Sequence, residues 1–223
     1  MRIQEIKLLT NDLEPLIDFY HRGLELPLIE NTESSVSFRI GSSRLVFERS
    51  EEAANPYYHF AINISESKID LALVWLKEKG VRINLAFGEE VFFSQTWNSH
   101  AIYFYDPAGN IVELIARHNK KSTTGHEFTR DDMINISEIG MPAEDVLSLS
   151  EYLLKQYNEQ VYISGDSMFT PIGAEDGLLI LSSLERIWLG SNKKVAIFPM
   201  SIILESREST ETKQVLHYPY LIS

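Results

Sequence analysis

Three polar residues of types that can bind a metal stand at one repeated position of this sequence. Glu5, His59 and Glu138 each lie seven residues before an acidic residue at which a helix is expected to begin. The 223 residues include no cysteine, which excludes thiolate metal sites, cysteine nucleophiles and disulfides. His, Asp and Glu are therefore the remaining metal ligands, and a bound metal would have to favour nitrogen and oxygen donors.

The three repeats predict a strand followed by a capped amphipathic helix. After each helix come short alternating runs divided by turn residues, such as Gly41-Ser42-Ser43 and the Asp-Pro-Ala-Gly-Asn run 106–110. These patterns are typical of strands joined by tight turns. The sequence therefore predicts an α+β fold made of three βαβββ units.

The order of these units predicts the domain organisation. We expect modules 1–52 and 56–118 to pair and form a cupped site, followed by a linker (119–131) and a third, divergent module (132–205). The pattern weakens after Ser183, and the apolar end of the tail (206–223) is expected to dock on this or another chain. Because the third module has no partner within the chain, we expect a homodimer.

Composition excludes several classes of function. The formal charge of -12 argues against nucleic-acid binding, which needs a local excess of Lys and Arg. No apolar run approaches the ~20 residues of a transmembrane helix, and no secretory signal is visible, so we expect a cytoplasmic protein without membrane contacts. The Gly-rich phosphate loop, the nucleophile elbow and the HExxH zinc motif are missing from the sequence.

The run 103–113, Tyr-Phe-Tyr-Asp-Pro-Ala-Gly-Asn-Ile-Val-Glu, resembles the closing hairpin of modules in the vicinal oxygen chelate (glyoxalase/bleomycin resistance/extradiol dioxygenase) superfamily. That hairpin has an aromatic strand, Asp-Pro-x-Gly and an apolar-apolar-Glu triplet. The resemblance covers residues 3–117 and continues more weakly over 134–183. It implies a divalent metal bound by the glutamate of the last strand, Glu113, and the histidine of the first strand, His59.

The first module departs from the family pattern at both ligand positions. Glu5 stands where many metal-binding relatives carry histidine, and Leu45 aligns with Glu113. The resemblance therefore disfavours a four-ligand glyoxalase I site and favours three ligands, Glu5, His59 and Glu113. Two carboxylates and one imidazole suit Mn, Zn or Mg at least as well as Fe, and Ni also fits such a site.

Each metal candidate has a structural alternative. His59 could be a core or surface residue, and Glu113 could face solvent or a buried partner. Glu138 repeats the position of Glu5 without a carboxylate near Leu181, which favours a structural role for Glu5.

Further side chains are candidates for proton transfer and ligand binding. His100 is suited to general acid–base catalysis at neutral pH; the alternative is a histidine at a strand end that bonds a loop. Trp97, Tyr103 and Phe92 could line a pocket for a flat ligand, although such aromatics are more often core. Trp188, with Arg186 nearby, is a weaker candidate.

Two functions remain open. The first is a metal-dependent glyoxalase/dioxygenase-like enzyme that acts on a small, vicinally oxygenated substrate. The second is a non-catalytic protein that binds or sequesters a small molecule, as bleomycin-resistance proteins do. Glu5 distinguishes them, because a Glu5 that joins His59 and Glu113 favours catalysis and one paired with a basic residue elsewhere favours sequestration.

Overall fold

The structure is a computed structural model that describes residues 1–50, 55–120, 125–205 and 211–223. It confirms the predicted α+β class built from βαβββ modules. In the first module a short helix with proline in its first turn continues as a π-helical segment, Ile17–Gly23. The elements of this module are β1 (Ile3–Thr10), α1 (Glu14–Leu16), β2 (Leu28–Asn31), β3 (Ser35–Ile40) and β4 (Ser43–Arg49).

The second module repeats this order, with a fourth short strand after its helix, and the third has two strands after its helix among the described residues. The second contains β5 (His59–Ile64), α2 (Ile69–Glu78), β6 (Ile83–Asn84), β7 (Phe92–Ser94), β8 (Ser99–Tyr105) and β9 (Ile111–Arg117). The third contains β10 (Met133–Ala143), α3 (Val146–Tyr157), β11 (Phe169–Ala174) and β12 (Gly177–Ser183). Asp145 caps α3 by accepting from the backbone N–H of Ser148, as its position in the repeat predicts.

A short fourth unit follows, with the module's strand pattern but without a helix among its described residues. It consists of β13 (Met200–Leu204), β14 (Lys213–Gln214) and β15 (Tyr220–Ile222). β13 pairs parallel with β15, and β15 pairs antiparallel with β14, as the first and last strands of a complete module do. The predicted linker 119–131 and tail 206–223 lie partly outside the described residues.

The strands form two sheets, and their order corrects the predicted pairing of modules. One sheet has the order β14-β15-β13-β1-β4-β3-β2, and the other has β11-β12-β10-β5-β9-β8-β6. The first module therefore pairs with the fourth unit, and the second pairs with the third through antiparallel β5 and β10. The sequence did not predict this arrangement because the described residues of the fourth unit form only short strands and no amphipathic helix.

This pairing also removes the argument for a dimer. The first strand of the third module, β10, is hydrogen-bonded on both sides within the chain, to β5 and β12. The homodimer consequently stays a prediction without its original structural reason. Among the described residues, no helix is long and apolar enough to cross a membrane.

The segment 184–199, here called the cover segment, folds over the second sheet. It forms a small hairpin in which the Trp188 N–H donates to the Lys193 carbonyl. The Trp188 ring lies against Gly140, where an added Cβ would come within 2.6 Å of the indole. The cover segment therefore encloses one face of the second sheet, while the opposite face belongs to the main hydrophobic core.

A buried hydrogen bond joins the two sheets beneath the site. The hydroxyl of Tyr20, in the π-helical segment, donates to Oδ2 of Asp106 at 2.8 Å. Asp106 also accepts from the backbone and side-chain N–H groups of Asn110. Both Tyr20 and Asp106 are buried, so the Asp-Pro turn recognised in the sequence also anchors the first module to the second.

We expect Tyr20→Phe to lower the free energy of unfolding by about 1–3 kcal/mol, because a buried acceptor loses one of its donors. Urea denaturation followed by circular dichroism measures the change. Tyr152→Phe is the matched control, since the Tyr152 hydroxyl makes only a long, exposed bond of 3.4 Å and should change stability by less than about 0.5 kcal/mol. Equal effects of the two substitutions would contradict the assignment.

Candidate metal centre and cavity

Three ionisable side chains meet on the covered face of the second sheet. In the strand register, Ala61 of β5 lies opposite Glu113 of β9 on one side and Glu138 of β10 on the other. His59 stands two residues earlier on the same face of β5. The ligand atoms of His59, Glu113 and Glu138 all lie within 4.8 Å of one another.

A register irregularity puts Glu138 on this face. The pairing of β10 with β5 shifts between Ile136 and Glu138, and an extra residue in a strand changes which face the following side chains point to. Ile136 and Ile139 both belong to the main core, and Glu138 between them faces the site. Strict alternation would have placed Glu138 on the same face as Ile136.

His59 is held in the neutral form that a metal ligand requires. Its Nδ1 lies 3.1 Å from the carbonyl oxygen of Ile111, an acceptor, so Nδ1 carries the proton and donates. Burial lowers the pKa of His59 to about 4, and the charge of Arg186 also lowers it. The Nε2 lone pair is then free and points toward Glu113, whose Oε2 is 3.6 Å away.

The two carboxylates are buried together. Burial raises the pKa of Glu113 well above its usual value, and the negative charge of Glu138 raises it further. Burial also raises the pKa of Glu138, while its ion pair with Arg117 opposes this effect. Two buried carboxylates repel each other, and a divalent cation between them would relieve that repulsion.

Arg117 fixes the position of Glu138. Its side chain is fully buried, Nη2 donates to Glu138 and Nε donates to Asn63 Oδ1 at 3.1 Å. The guanidinium also lies over the Trp97 ring, 5.4 Å from its centroid. Among the described residues, its Nη1 has no hydrogen-bond partner. One carboxylate of the group is therefore partly neutralised by the protein itself.

The residues present fit a divalent ion. The donor atoms are nitrogen and oxygen, which suit first-row metals and Mg²⁺. Ligand atoms about 2.0–2.2 Å from one ion stand at most about 4.4 Å apart, so the observed spacing requires only small side-chain rotations. The Nδ1 bond of His59 is the kind of outer contact that orients a ligating imidazole.

A cavity of about 170 Å³ opens from these three side chains. The predicted aromatics Trp97, Tyr103 and Phe92 all line it, and the cover segment adds Trp188 and Arg186. Tyr103 lies opposite Glu113 in the strand register, and its hydroxyl interacts with that carboxylate. The structure thus brings together the predicted pocket residues, His59 and Glu113.

Two predicted residues lie elsewhere. Glu5 belongs to the other sheet, where its Oε2 lies 3.4 Å from the Arg44 guanidinium. This is the pairing with a basic residue that the sequence analysis treated as evidence for sequestration. Glu138, from the equivalent repeat position, lies beside His59 and Glu113 instead. The correction follows from the pairing of modules, because β10 rather than β1 lies beside β5.

His100 is on the opposite face of β8 from the cavity. Its neighbours Ser99 and Ala101 line the cavity, so the alternation of the strand directs His100 away from it. The Nδ1 of His100 lies 2.7 Å from Nε2 of His118, whose Nδ1 lies 2.6 Å from Glu66. The structure therefore does not place His100 where it could exchange a proton with a ligand in the cavity.

Comparisons with known proteins agree with this architecture. A profile of the Glyoxalase/Bleomycin resistance protein/Dioxygenase superfamily matches residues 2–114, about half of the chain. The chain belongs to this superfamily. No curated protein sequence matches it.

Two solved structures resemble all or most of the chain. A putative dioxygenase from Bacillus subtilis is 13% identical with a TM-score of 0.66, and the alignment covers 100% of this chain and 84% of that one. A glyoxalase I mutant from Zea mays is 15% identical with a TM-score of 0.57, with 91% and 74% covered. At these identities the likeness shows the fold alone.

We expect Glu138→Gln to weaken Mn²⁺ binding by about 100-fold or more, because losing even an outer partner of a ligand costs 10–100-fold. Isothermal titration calorimetry of chelator-treated protein measures the affinity. Glutamine can still accept the Arg117 hydrogen bond, so the fold should be retained.

Glu5→Gln tests the ligand set predicted from the sequence, since Glu5 occupies the same repeat position. We expect its Mn²⁺ affinity to stay within about two-fold of the unsubstituted protein, because a residue outside the coordination sphere makes no metal bond. A larger loss for Glu5→Gln than for Glu138→Gln would contradict the group described above.

Proposed function

We propose that the protein is a divalent-metal-dependent enzyme that acts on a small, vicinally oxygenated molecule bound in the covered cavity. The observation that carries the proposal is the buried group of His59, Glu113 and Glu138 at the end of an aromatic cavity. A pocket that combines apolar walls, convergent polar groups and perturbed pKa values is typical of an active site.

The protein side chains have separate parts in this proposal. His59, Glu113 and Glu138 hold the ion, and Arg117 keeps Glu138 in place. A bound divalent ion supplies a Lewis acid that polarises a substrate oxygen. The cover segment restricts water through Trp188, which is 5% exposed, and a drier site strengthens every electrostatic contact within it.

Tyr103 replaces His100 as the proposed proton-handling group. Its hydroxyl lines the cavity beside Glu113. Burial raises the pKa of Tyr103 well above its usual value, and the negative charge of Glu113 contributes. The phenol therefore stays protonated and can donate to an oxygen on which negative charge develops.

Sequestration without catalysis is the second candidate function. It is favoured by the Arg117–Glu138 ion pair, which already balances one carboxylate without any metal. In that case the cavity would bind its ligand through the aromatic walls, and the three ionisable groups would be structural. A cytoplasmic location, a homodimer and the lack of nucleic-acid partners remain predictions from the sequence for either function.

The test is turnover by protein loaded with Mn²⁺ or Fe²⁺ and incubated with 2-hydroxyketones, 2-oxoacids and catechols, followed by proton NMR. We expect at least one class to be converted and His59→Ala to lose turnover by 100-fold or more, on the order of what a catalytic group contributes. Compounds that bind equally to both proteins without conversion would favour sequestration.

Variants of the two proton-handling candidates separate their roles. We expect Tyr103→Phe to lower kcat by about 100-fold, on the order of the loss of one donor to a developing negative charge, because it removes only the hydroxyl. His100→Ala tests the residue predicted from the sequence and should retain turnover, since His100 lies across the sheet from the cavity. A larger loss of turnover for His100→Ala than for Tyr103→Phe would assign proton transfer to His100 instead.

A further inference from the structure

The cover segment contributes one positively charged side chain to the cavity. Among the described residues that line it, Arg186 alone carries a permanent positive charge. No carboxylate of the described residues lies within ion-pair distance of its guanidinium. Arg117, by contrast, is paired with Glu138 and is not part of the cavity wall.

The protein holds the Arg186 guanidinium in a fixed plane. Nη1 donates to Ser182 Oγ at 3.0 Å, and the group lies over the Phe169 ring, 4.5 Å from its centroid. A guanidinium has five N–H donors, and this hydrogen bond uses one of them. The remaining donors are available to a ligand, in the planar arrangement that matches a carboxylate.

The cavity places the Arg186 guanidinium near the three candidate metal ligands. Arg186 lines the same cavity as His59, Glu113 and Glu138, and its charge is one of the causes that lower the pKa of His59. The volume of about 170 Å³ is slightly larger than the roughly 150 Å³ of a cavity that binds benzene. A single ring with one small substituent therefore matches the available space.

We propose that Arg186 is the anion-binding residue of the cavity and that the ligand is a carboxylate of about single-ring size. The carboxylate binds the guanidinium, and the flat body packs between Trp97 and Trp188. This inference rests on the proposed function where it identifies the ligand as the substrate. In that case the other oxygens of the ligand face His59, Glu113 and Glu138. The inference rests on an oriented arginine beside aromatic walls that has no ion-pair partner within bonding distance among the described residues.

The test uses benzoate and its neutral analogue benzamide, titrated into the full chain by calorimetry with and without Zn²⁺. We expect benzoate to bind at least about 10-fold more tightly than benzamide, the advantage of a charge-assisted hydrogen bond. Arg186→Gln should weaken benzoate binding about 10- to 100-fold and leave benzamide unchanged. Arg82→Gln is the control, because Arg82 is an exposed arginine directly before β6 and does not line the cavity.

Arg186→Lys gives a second measurement in case the glutamine variant is unstable. It keeps the charge but not the planar pair of donors, so benzoate should bind with intermediate affinity. Benzoate that does not bind, or that binds Arg186→Gln as tightly as the unsubstituted protein, would overturn the proposal.

The benzoate titration without metal distinguishes a failure of this inference from a failure of the proposed function. Benzoate binding that depends on Arg186 in a protein that takes up no metal would support the anion site and contradict the enzyme. Metal binding and turnover that are indifferent to Arg186 would support the enzyme and contradict the anion site.

Discussion

The antiparallel pairing of β5 with β10 is the constraint on which the site depends. It brings the first strands of two modules side by side, so that Ala61 has Glu113 on one side and Glu138 on the other. The register shift beside Glu138 then turns that carboxylate to the face of His59. Without this pairing, the second module would hold only His59 and Glu113, and its sheet edge would need another partner.

Burial makes the negative charges of His59's two carboxylate neighbours, Glu113 and Glu138, unfavourable unless they are compensated. Glu113 and Glu138 are both almost fully buried, and carboxylates in such surroundings need compensation by charge or hydrogen bonds. Arg117, on the same face of β9 as Glu113, supplies part of it through its ion pair with Glu138, and Tyr103 interacts with Glu113 from the cavity wall. The part of the buried negative charge that these contacts leave uncompensated favours binding of a divalent cation. The cover segment strengthens this effect by excluding water.

The sequence predicted the local parts of this arrangement better than their assembly. The hairpin 103–113 indicated the superfamily and identified Glu113, and the repeat placed His59 on a first strand. The same repeat contained Glu138, which served only as an argument for a structural role of Glu5, because no carboxylate lies near Leu181; the group in the structure includes one carboxylate from that module. The pairing of β5 with β10 depends on contacts between residues that are far apart in the sequence. The short strands of the fourth unit show too little pattern to indicate how the modules pair. The placement of His100 was open to prediction, since Ile102 and Phe104 on its strand face are core residues and the cavity uses the other face.

Anomalous X-ray diffraction from crystals grown with Mn²⁺ tests the central claim most directly. The account predicts one strong anomalous peak about 2.0–2.2 Å from His59 Nε2 and from one oxygen each of Glu113 and Glu138. A peak at the His100, His118 and Glu66 cluster instead, or an intact Arg117–Glu138 pair with no metal beside His59 at millimolar Mn²⁺, would contradict it.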